Sequence, residues 1–295
     1  MTSVMIQPES SHAEAPLSSR GGMKSVLLHV QDDEGLEARL QAALAIVRAS
    51  GGHLTCLHVT PMSAYAYAGF ETYGGAYVLT DLLKQLEEHE AAMRTRIEAQ
   101  LASEDVAWSY ERQTSDPVSA LVNSGALADL IVLGRSRHSQ SSAYRAMSIF
   151  GDILATSHTP LLVYSNDQQR FDPLGPAVVA WNGSFEAANA LRAALPLLKQ
   201  ASAVHIVSVD EDKHFDCPPL GASEYLSRHD VHAEMIRESK GTQSVDERLV
   251  ATATSLGASY LVMGAYGHHR AREFLFGGVT RSLLKECTVP LVLAR

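Results

Sequence analysis

Residues 259–294 read SYLVMGAYGHHRAREFLFGGVTRSLLKECTVPLVLA. An apolar run, Tyr260–Met263, stops at Gly264. A loop with Gly267 and the pair Gly277-Gly278 follows, then the helix-like VTRSLLKEC (279–287), then a second apolar run, Leu291–Ala294. Two short apolar strands joined through a helix make a βαβ unit, whose strands run parallel and are covered on both faces. The same order occurs once more in the chain. DLIVLG (129–134) matches SYLVMG (259–264), and TPLLVY (159–164) matches VPLVLA (289–294), both 130 positions apart. Upstream, LHV (57–59) matches VSV (207–209) at 150 positions. Two matches at one offset, in strand order, point to an internal duplication.

Working outward, strands are expected at Ser25–Val30, His53–Val59, Trp108–Arg112, Leu130–Leu133 and Pro160–Tyr164. The second half repeats them at Ala177–Trp181, Val204–Val209, Val231–Arg237, Tyr260–Met263 and Leu291–Ala294. Helical patterns lie between. In Leu36–Ala49, residues Leu36, Leu40, Ala43, Leu44 and Val47 follow a 3.6 period until Ser50-Gly51-Gly52 stops it. A long amphipathic helix is expected over 81–103, with Glu and Lys on its solvent side. Val59 to Gly134 spans 75 positions, whereas Val209 to Gly264 spans 55, so the first half carries 20 extra residues between its second and fourth strands. They comprise the Tyr/Gly-rich stretch 65–77, a lid or contact as readily as a covered loop, and the long helix after it. The expected fold is α/β: two homologous doubly wound domains, each a five-stranded parallel sheet with helices on both faces. A disordered leader over 1–22, a first domain over 23–165, a polar linker near 165–175 and a second domain over 176–295 complete the organisation.

Composition narrows the function. Lys and Arg number 24 against 33 Asp and Glu, a net charge of −9, which disfavours a protein that coats nucleic acid. Apolar residues at 46% and charged residues at 19% suit a soluble protein with sizeable cores. No run of 18 apolar residues reads as a membrane span, and the leader lacks the basic start and apolar run of a secretory signal. Three scattered cysteines, Cys56, Cys217 and Cys287, build neither a disulfide framework nor a zinc site, which fits the cytoplasm.

The glycine loop carries the chemistry. Glycines let a backbone approach a ligand closely, and a helix starting near Val279 aims its free N–H groups and positive dipole end at the loop. Thr280 adds a hydroxyl, while His268, His269, Arg270 and Arg272 add positive charge. From spacing alone, phosphate binding and plain helix-on-sheet packing are both open. The pattern G-x2-G-x9-G followed by Ser or Thr, after a hydrophobic strand, resembles the nucleotide-binding signature of universal stress proteins. Gly264, Gly267 and Gly277 match it, with Gly278 where the family usually has Ser or Thr. VVAWNGSFEAANAL (178–191) resembles the family's first strand and helix, and TVPLVLA its last strand.

That resemblance covers nearly the whole chain after residue 23, as a tandem pair. It implies ATP or a related adenine nucleotide, with or without magnesium, in the second domain. Phosphates would lie against Gly264, Gly267, Gly277, Gly278, Val279 and Thr280. The adenine would sit near the ends of the first two strands, by Trp181, Asn182, Val209 and Met263. Two departures stand out: Gly278 removes a hydroxyl, and Asn182 replaces a common acidic residue, though both keep hydrogen-bonding groups. In the first half, Arg137, Met147, Ser148 and Phe150 stand opposite Gly267, Gly277, Gly278 and Thr280, so residues 134–150 are not expected to form an equivalent site. Arg135, Arg137, His138 and Arg145 there read as a solvated basic loop. The family also implies that the halves pack through their last strands like a family dimer, an intramolecular pair that leaves homodimerisation open.

Other motifs are weaker. No H-E-x-x-H or C-x-x-C frame accompanies the thirteen histidines, so no metal is firmly implied. His29, His58 and His205 alternate with strand residues and read as hydrogen-bonded core or strand-end histidines, and Cys56 as a buried structural thiol. Asn182-Gly183-Ser184 reads as a turn into the next helix. P-loop and G-x-S-x-G motifs are missing, as is a histidine-rich H-x-G-H phosphate motif, so an enzyme is not expected beyond slow incidental ATP hydrolysis. The expected function is a cytoplasmic stress-response module that binds nucleotide in its second domain, with unknown protein partners. The competing expectation is a module that binds no nucleotide and acts through protein contacts.

Overall fold

A computed structural model describes residues 21–61, 76–135, 149–164, 168, 170–210, 218–265 and 278–295. Residues 1–20 of the leader, the Tyr-rich stretch up to 75, Cys217, Gly267, Gly277, the cationic loop 268–272 and residues 136–148 lie outside the described residues. The first half comprises β1 (Ser25–Val30), α1 (Leu36–Ser50), β2 (His53–Pro61), α2 (Ala76–Leu101), β3 (Ala107–Ser115), α3 (Pro117–Ser124), β4 (Leu130–Gly134), the helical residues 149–156 (α4) and β5 (Leu161–Tyr164). The second comprises β6 (Ala177–Ala180), α5 (Phe185–Leu198), β7 (Val204–Asp210), α6 (Pro219–Ser227), β8 (Ala233–Ser239), α7 (Val245–Ser255), β9 (Tyr260–Gly264), α8 (Gly278–Glu286) and β10 (Leu291–Ala294).

The α/β expectation holds, with one addition: the two five-stranded parallel sheets fuse into one sheet of ten strands, ordered β3-β2-β1-β4-β5-β10-β9-β6-β7-β8. Every pairing is parallel except β5 with β10 at the centre. There Leu162 pairs with Val292, the position 130 residues on, flanked by Leu161 with Leu293 and Val163 with Leu291. A residue that pairs with its own repeat equivalent marks a two-fold axis, so the halves meet as an isologous dimer would. The last-strand packing expected from the sequence is therefore observed. The duplication also reaches single hydrogen bonds. Ile131 N–H donates to Pro160 as Leu261 does to Pro290, and Arg135 N–H donates to Tyr164 as Ala265 does to Ala294.

Alternation along the strands sends Val26, Leu28, Leu130, Val132, Val179 and Val262 to one face, under α1, α2, α5 and α6. Leu27, Ile131, Leu133, Val178, Leu261 and Leu291 face the other side, under α3, α4, α7 and α8. Each half is thus doubly wound, and each core runs unbroken across the joint. The edge strands β3 and β8 differ most from expectation, running Ala107–Ser115 and Ala233–Ser239. The inserted residues sit between β2 and β3. His53 pairs with Ala107, 54 positions on, whereas Val204 pairs with Ala233, only 29 on. Accordingly α2 has 26 residues and α6 has nine. The helix expected over 81–103 begins five residues earlier, at Ala76.

The described residues of the linker are packed. Phe171 is buried against Tyr260, ring centroids 5.5 Å apart, and Gln168 donates to the carbonyls of Cys287 and Val289. Leu162 has no solvent exposure at the joint. Leu162→Ala is expected to cost about 2–5 kcal/mol, read as a drop in denaturant midpoint with unfolding followed in both halves.

Candidate functional site

In an open parallel sheet, ligands bind beyond the carboxyl ends of the strands, where the chain switches direction across the sheet. In the second half that point falls between β6 and β9: from β6 the chain runs outward to β7 and β8, then returns to β9 on the other side. Because β9 and β10 are parallel, α8 begins at this same end of the sheet. The described site residues gather there from four elements. Trp181 and Asn182 follow β6, Val209 ends β7, Met263 and Gly264 end β9, and Gly278, Val279 and Thr280 open α8. Gly267 and Gly277 lie outside the described residues.

Their side chains divide by role. Trp181 is buried in the core shared with α5, and Met263 in the core of the opposite face. Asn182 is exposed, and its side-chain oxygen accepts the Ser184 N–H at 3.1 Å. Gly183 has a left-handed φ of 72°, and the Ser184 hydroxyl caps α5 by accepting the Ala187 N–H at 3.2 Å. The turn read from Asn182-Gly183-Ser184 is therefore present. Val209 is half-buried, and Thr280 is buried.

The two glycines at hand serve different needs. A Cβ on Gly264 would lie 2.6 Å from the Ala187 nitrogen and 2.7 Å from the Glu186 carbonyl oxygen, so glycine there lets α5 seat directly on β9. A Cβ on Gly278 would meet nothing within 4 Å. The start of α8 is open, and its side is held elsewhere: Asp246 of α7 accepts a hydrogen bond from the Ser282 hydroxyl. Burial pushes the Asp246 carboxyl up, but bonds from Ser282, Ser244 and the Asp246 and Glu247 backbone outweigh it and hold it below the usual carboxylate range. Among the described residues, no group of three His, Cys, Asp or Glu side chains could hold a metal ion.

The corresponding point of the first half, between β1 and β4, is filled from within. Arg39 of α1 is 1% exposed and lies over Gly134, where a Cβ would run into its guanidinium. Its Nη1 donates to Asp33 at 2.8 Å and its Nη2 to the Gln31 carbonyl at 3.3 Å. Beside it, α2 lowers a buried carboxylate onto the strand ends. Glu90 accepts from the Thr60 hydroxyl and forms an ion pair with Arg112 at 2.8 Å, and His58 Nδ1 lies 3.0 Å from the Tyr110 hydroxyl. In the second half Ser208 stands in place of His58, and Met235 stands in place of Tyr110 at 48% exposure. One crevice is plugged, and its twin carries no such plug among the described residues.

Arg39 and Glu90 escaped the sequence reading, and Arg135 was read differently. Arg39 lies three residues after Leu36, on the apolar stripe of α1, and Glu90 three before Met93, on that of α2, so their burial had a periodic signal. Arg135 corrects the expectation of a solvated basic loop: it is 7% exposed and donates to the Leu283, Leu284 and Cys287 carbonyls. Of the other strand residues, Cys56 is buried as expected, its thiol pushed up to about 12 by burial, and His58 meets the Tyr110 hydroxyl, whereas His205 Nδ1 lies 3.3 Å from Glu234 without a hydrogen bond.

Such features define a tandem doubly wound α/β protein with one filled switch point and one without a plug among the described residues. The sequence profile of the universal stress protein family matches residues 22–165 and again 175–295, and the chain belongs to that family. Universal stress protein Slr1230 of Synechocystis is 24% identical over 305 residues, covering 92% of this chain and all of the relative. A universal stress protein from Archaeoglobus fulgidus shares the fold at a TM-score of 0.66 and 17% identity, covering 92% of this chain and 96% of its own. A functionally unknown protein from Pseudomonas aeruginosa does so at 0.52 and 14% identity, covering 94% and 93%.

Two stability outcomes follow. Gly264→Ala is expected to lower the melting temperature, because backbone atoms must move, whereas Gly278→Ala leaves it nearly unchanged. His29 is buried, and burial, then Arg39 and His58, lower its pKa to about 4, with Asp33 opposing. The unfolded state, titrating near 6.5, binds the extra proton first as pH falls, so stability present above pH 6.5 is lost between 6.5 and 4. The loss from this group is on the order of 3 kcal/mol. His29→Asn should flatten that part of the stability-against-pH curve in denaturant titrations.

Proposed function

We propose that the second half binds ATP or a related adenine nucleotide, and that the chain is a cytoplasmic stress-response module whose partners read this occupancy. The observation that carries the reading is the contrast between two crevices on one scaffold. In the first, Arg39 fills the switch point. In the second, Asn182 and the start of α8 are exposed, and Gly278 leaves space beside free helix N–H groups. Gly278, Val279 and Thr280 would donate to phosphate oxygens, with Gly267 and Gly277 completing the loop as the family motif implies. The base would lie by Asn182 and Val209, while Trp181 and Met263 support the rim from the core. Binding, not turnover, is the proposed activity.

A second reading, a module working through protein contacts alone, is favoured by two features. The Asn182 oxygen is already engaged by Ser184, and Gly278 offers no hydroxyl. Titration calorimetry of the purified protein with ATP, with and without magnesium, separates the two. One site per chain is expected, and no heat at millimolar nucleotide would overturn the nucleotide reading. Gly278→Ser, which the open space accommodates, is expected to tighten binding roughly tenfold through one added hydrogen bond to a charged group. Gly267→Val should weaken it, and Arg137→Ala should leave it intact.

A further inference from the structure

α8 is held at both ends by different halves of the chain. Its first turn belongs to the phosphate corner of the second half, and its last carbonyls are capped by the first half. Arg135 follows β4 directly and reaches across the joint. Its Nη1 donates to Leu283 at 3.3 Å and Leu284 at 3.1 Å, and its Nη2 to Cys287 at 2.9 Å. A buried guanidinium against the carbonyl end of a helix satisfies orphan acceptors and opposes the negative dipole end. Gln168 adds bonds to Cys287 and Val289. With nine residues, α8 is about 13 Å long, so a displacement at one end moves the other as a rigid body.

The arrangement is not repeated by the two-fold. The position 130 residues after Arg135 is Ala265, which has no side chain to reach α4. Among the described residues, the carbonyl Ala155 of α4 instead receives Arg295 at 2.9 Å, from the far end of the chain. Among the described residues, only α8 is clamped by an arginine rooted at the end of the opposite half's β4, next to Gly134 and the Arg39 plug.

We infer that Arg135 is a positioning residue for the phosphate corner, and that through α8 it transmits occupancy of the second half to the first. The inference rests on the nucleotide reading above. Ligand at the start of α8 fixes the helix, and the fixed helix orders the β4 end that Arg135 roots. By linkage, the clamp strengthens ligand binding by the same factor that ligand strengthens the clamp.

The test uses the full chain and ATP. In the wild type, ATP should slow amide hydrogen exchange in α8 and also in β4 and β5, on the other side of the joint. Arg135→Met should weaken ATP binding about tenfold, within the usual range for coupled sites, and abolish the slowing in β4 and β5. Arg135→Lys, which keeps the charge, should recover part of the affinity and remains informative if the Met variant does not fold. Arg295→Met, which also cuts a bond across the joint, should lower the melting temperature while leaving ATP affinity unchanged. Equal weakening by Arg135→Met and Arg295→Met would reduce the effect to general loosening and overturn the inference. Unaltered ATP affinity in both Arg135 variants would overturn it too, as would exchange slowed in α8 alone. Absence of ATP binding in the wild type removes the nucleotide reading itself and the inference with it, an outcome separate from the others.

Discussion

The pairing of β5 with β10 is the constraint on which the molecule is built. Each half alone would end in a short, fully apolar strand with an unpaired hydrogen-bonding edge, the kind of edge proteins must cover. Leu161–Tyr164 and Leu291–Ala294 cover each other, and because they are repeat equivalents they do so about a two-fold axis. Both cores then run across the joint, Leu162 and Val292 on one face, Leu161 and Leu293 on the other. Other features follow from this closeness. Gln168 can reach the Cys287 and Val289 carbonyls, Ser50 and Gln200 meet at the ends of α1 and α5, and Arg135 can reach a helix that its own half does not contain.

Upon this symmetric frame the two crevices have diverged through few residues. The first half spends a salt-bridged arginine and a long helix on filling its switch point, and the resulting network includes two histidines, His29 and His58, both held toward the neutral form. For both, burial is the largest cause, so the plug is most at home above the pH at which free imidazole takes up a proton. Among its described residues the second half spends nothing comparable, and Met235 is left half-exposed where α2 covers Tyr110 in its twin. Sheet order and pairing are the same in both halves; what differs is the occupant of the carboxyl end.

The fold was legible because its strands are buried on both faces and therefore read as uninterrupted apolar runs, and because the runs recur at fixed offsets. Prediction was weakest at β3 and β8, whose outer positions, such as Glu111 and Glu234, face solvent and break the apolar pattern. The candidate positions were legible as places in the fold, since Asn182, Val209, Gly264 and Gly278 lie at the carboxyl ends of β6, β7 and β9 and at the start of α8. Their roles were not. Gly264 answers to helix packing and Trp181 to the core, needs set by partners more than seventy residues away in Gly264's case and invisible in a local motif. Arg39 and Arg135 were hidden for the same reason: a charged residue's partner is chosen by tertiary structure, and only its place on an apolar stripe or strand end hints that it is buried.

In a dimer of separate identical chains, any substitution appears twice, so both crevices must be filled or both left open. Joining the two copies in one polypeptide lifts that requirement, and its visible result is that the Arg39 guanidinium lies over Gly134 whereas the backbone of Glu186 and Ala187 lies over Gly264. If the proposed nucleotide site is the one in use, a protein so constructed would take one ligand per pair of folded units. Its saturation curve would be hyperbolic instead of sigmoidal, a graded reading of concentration where a symmetric pair of sites could give a threshold.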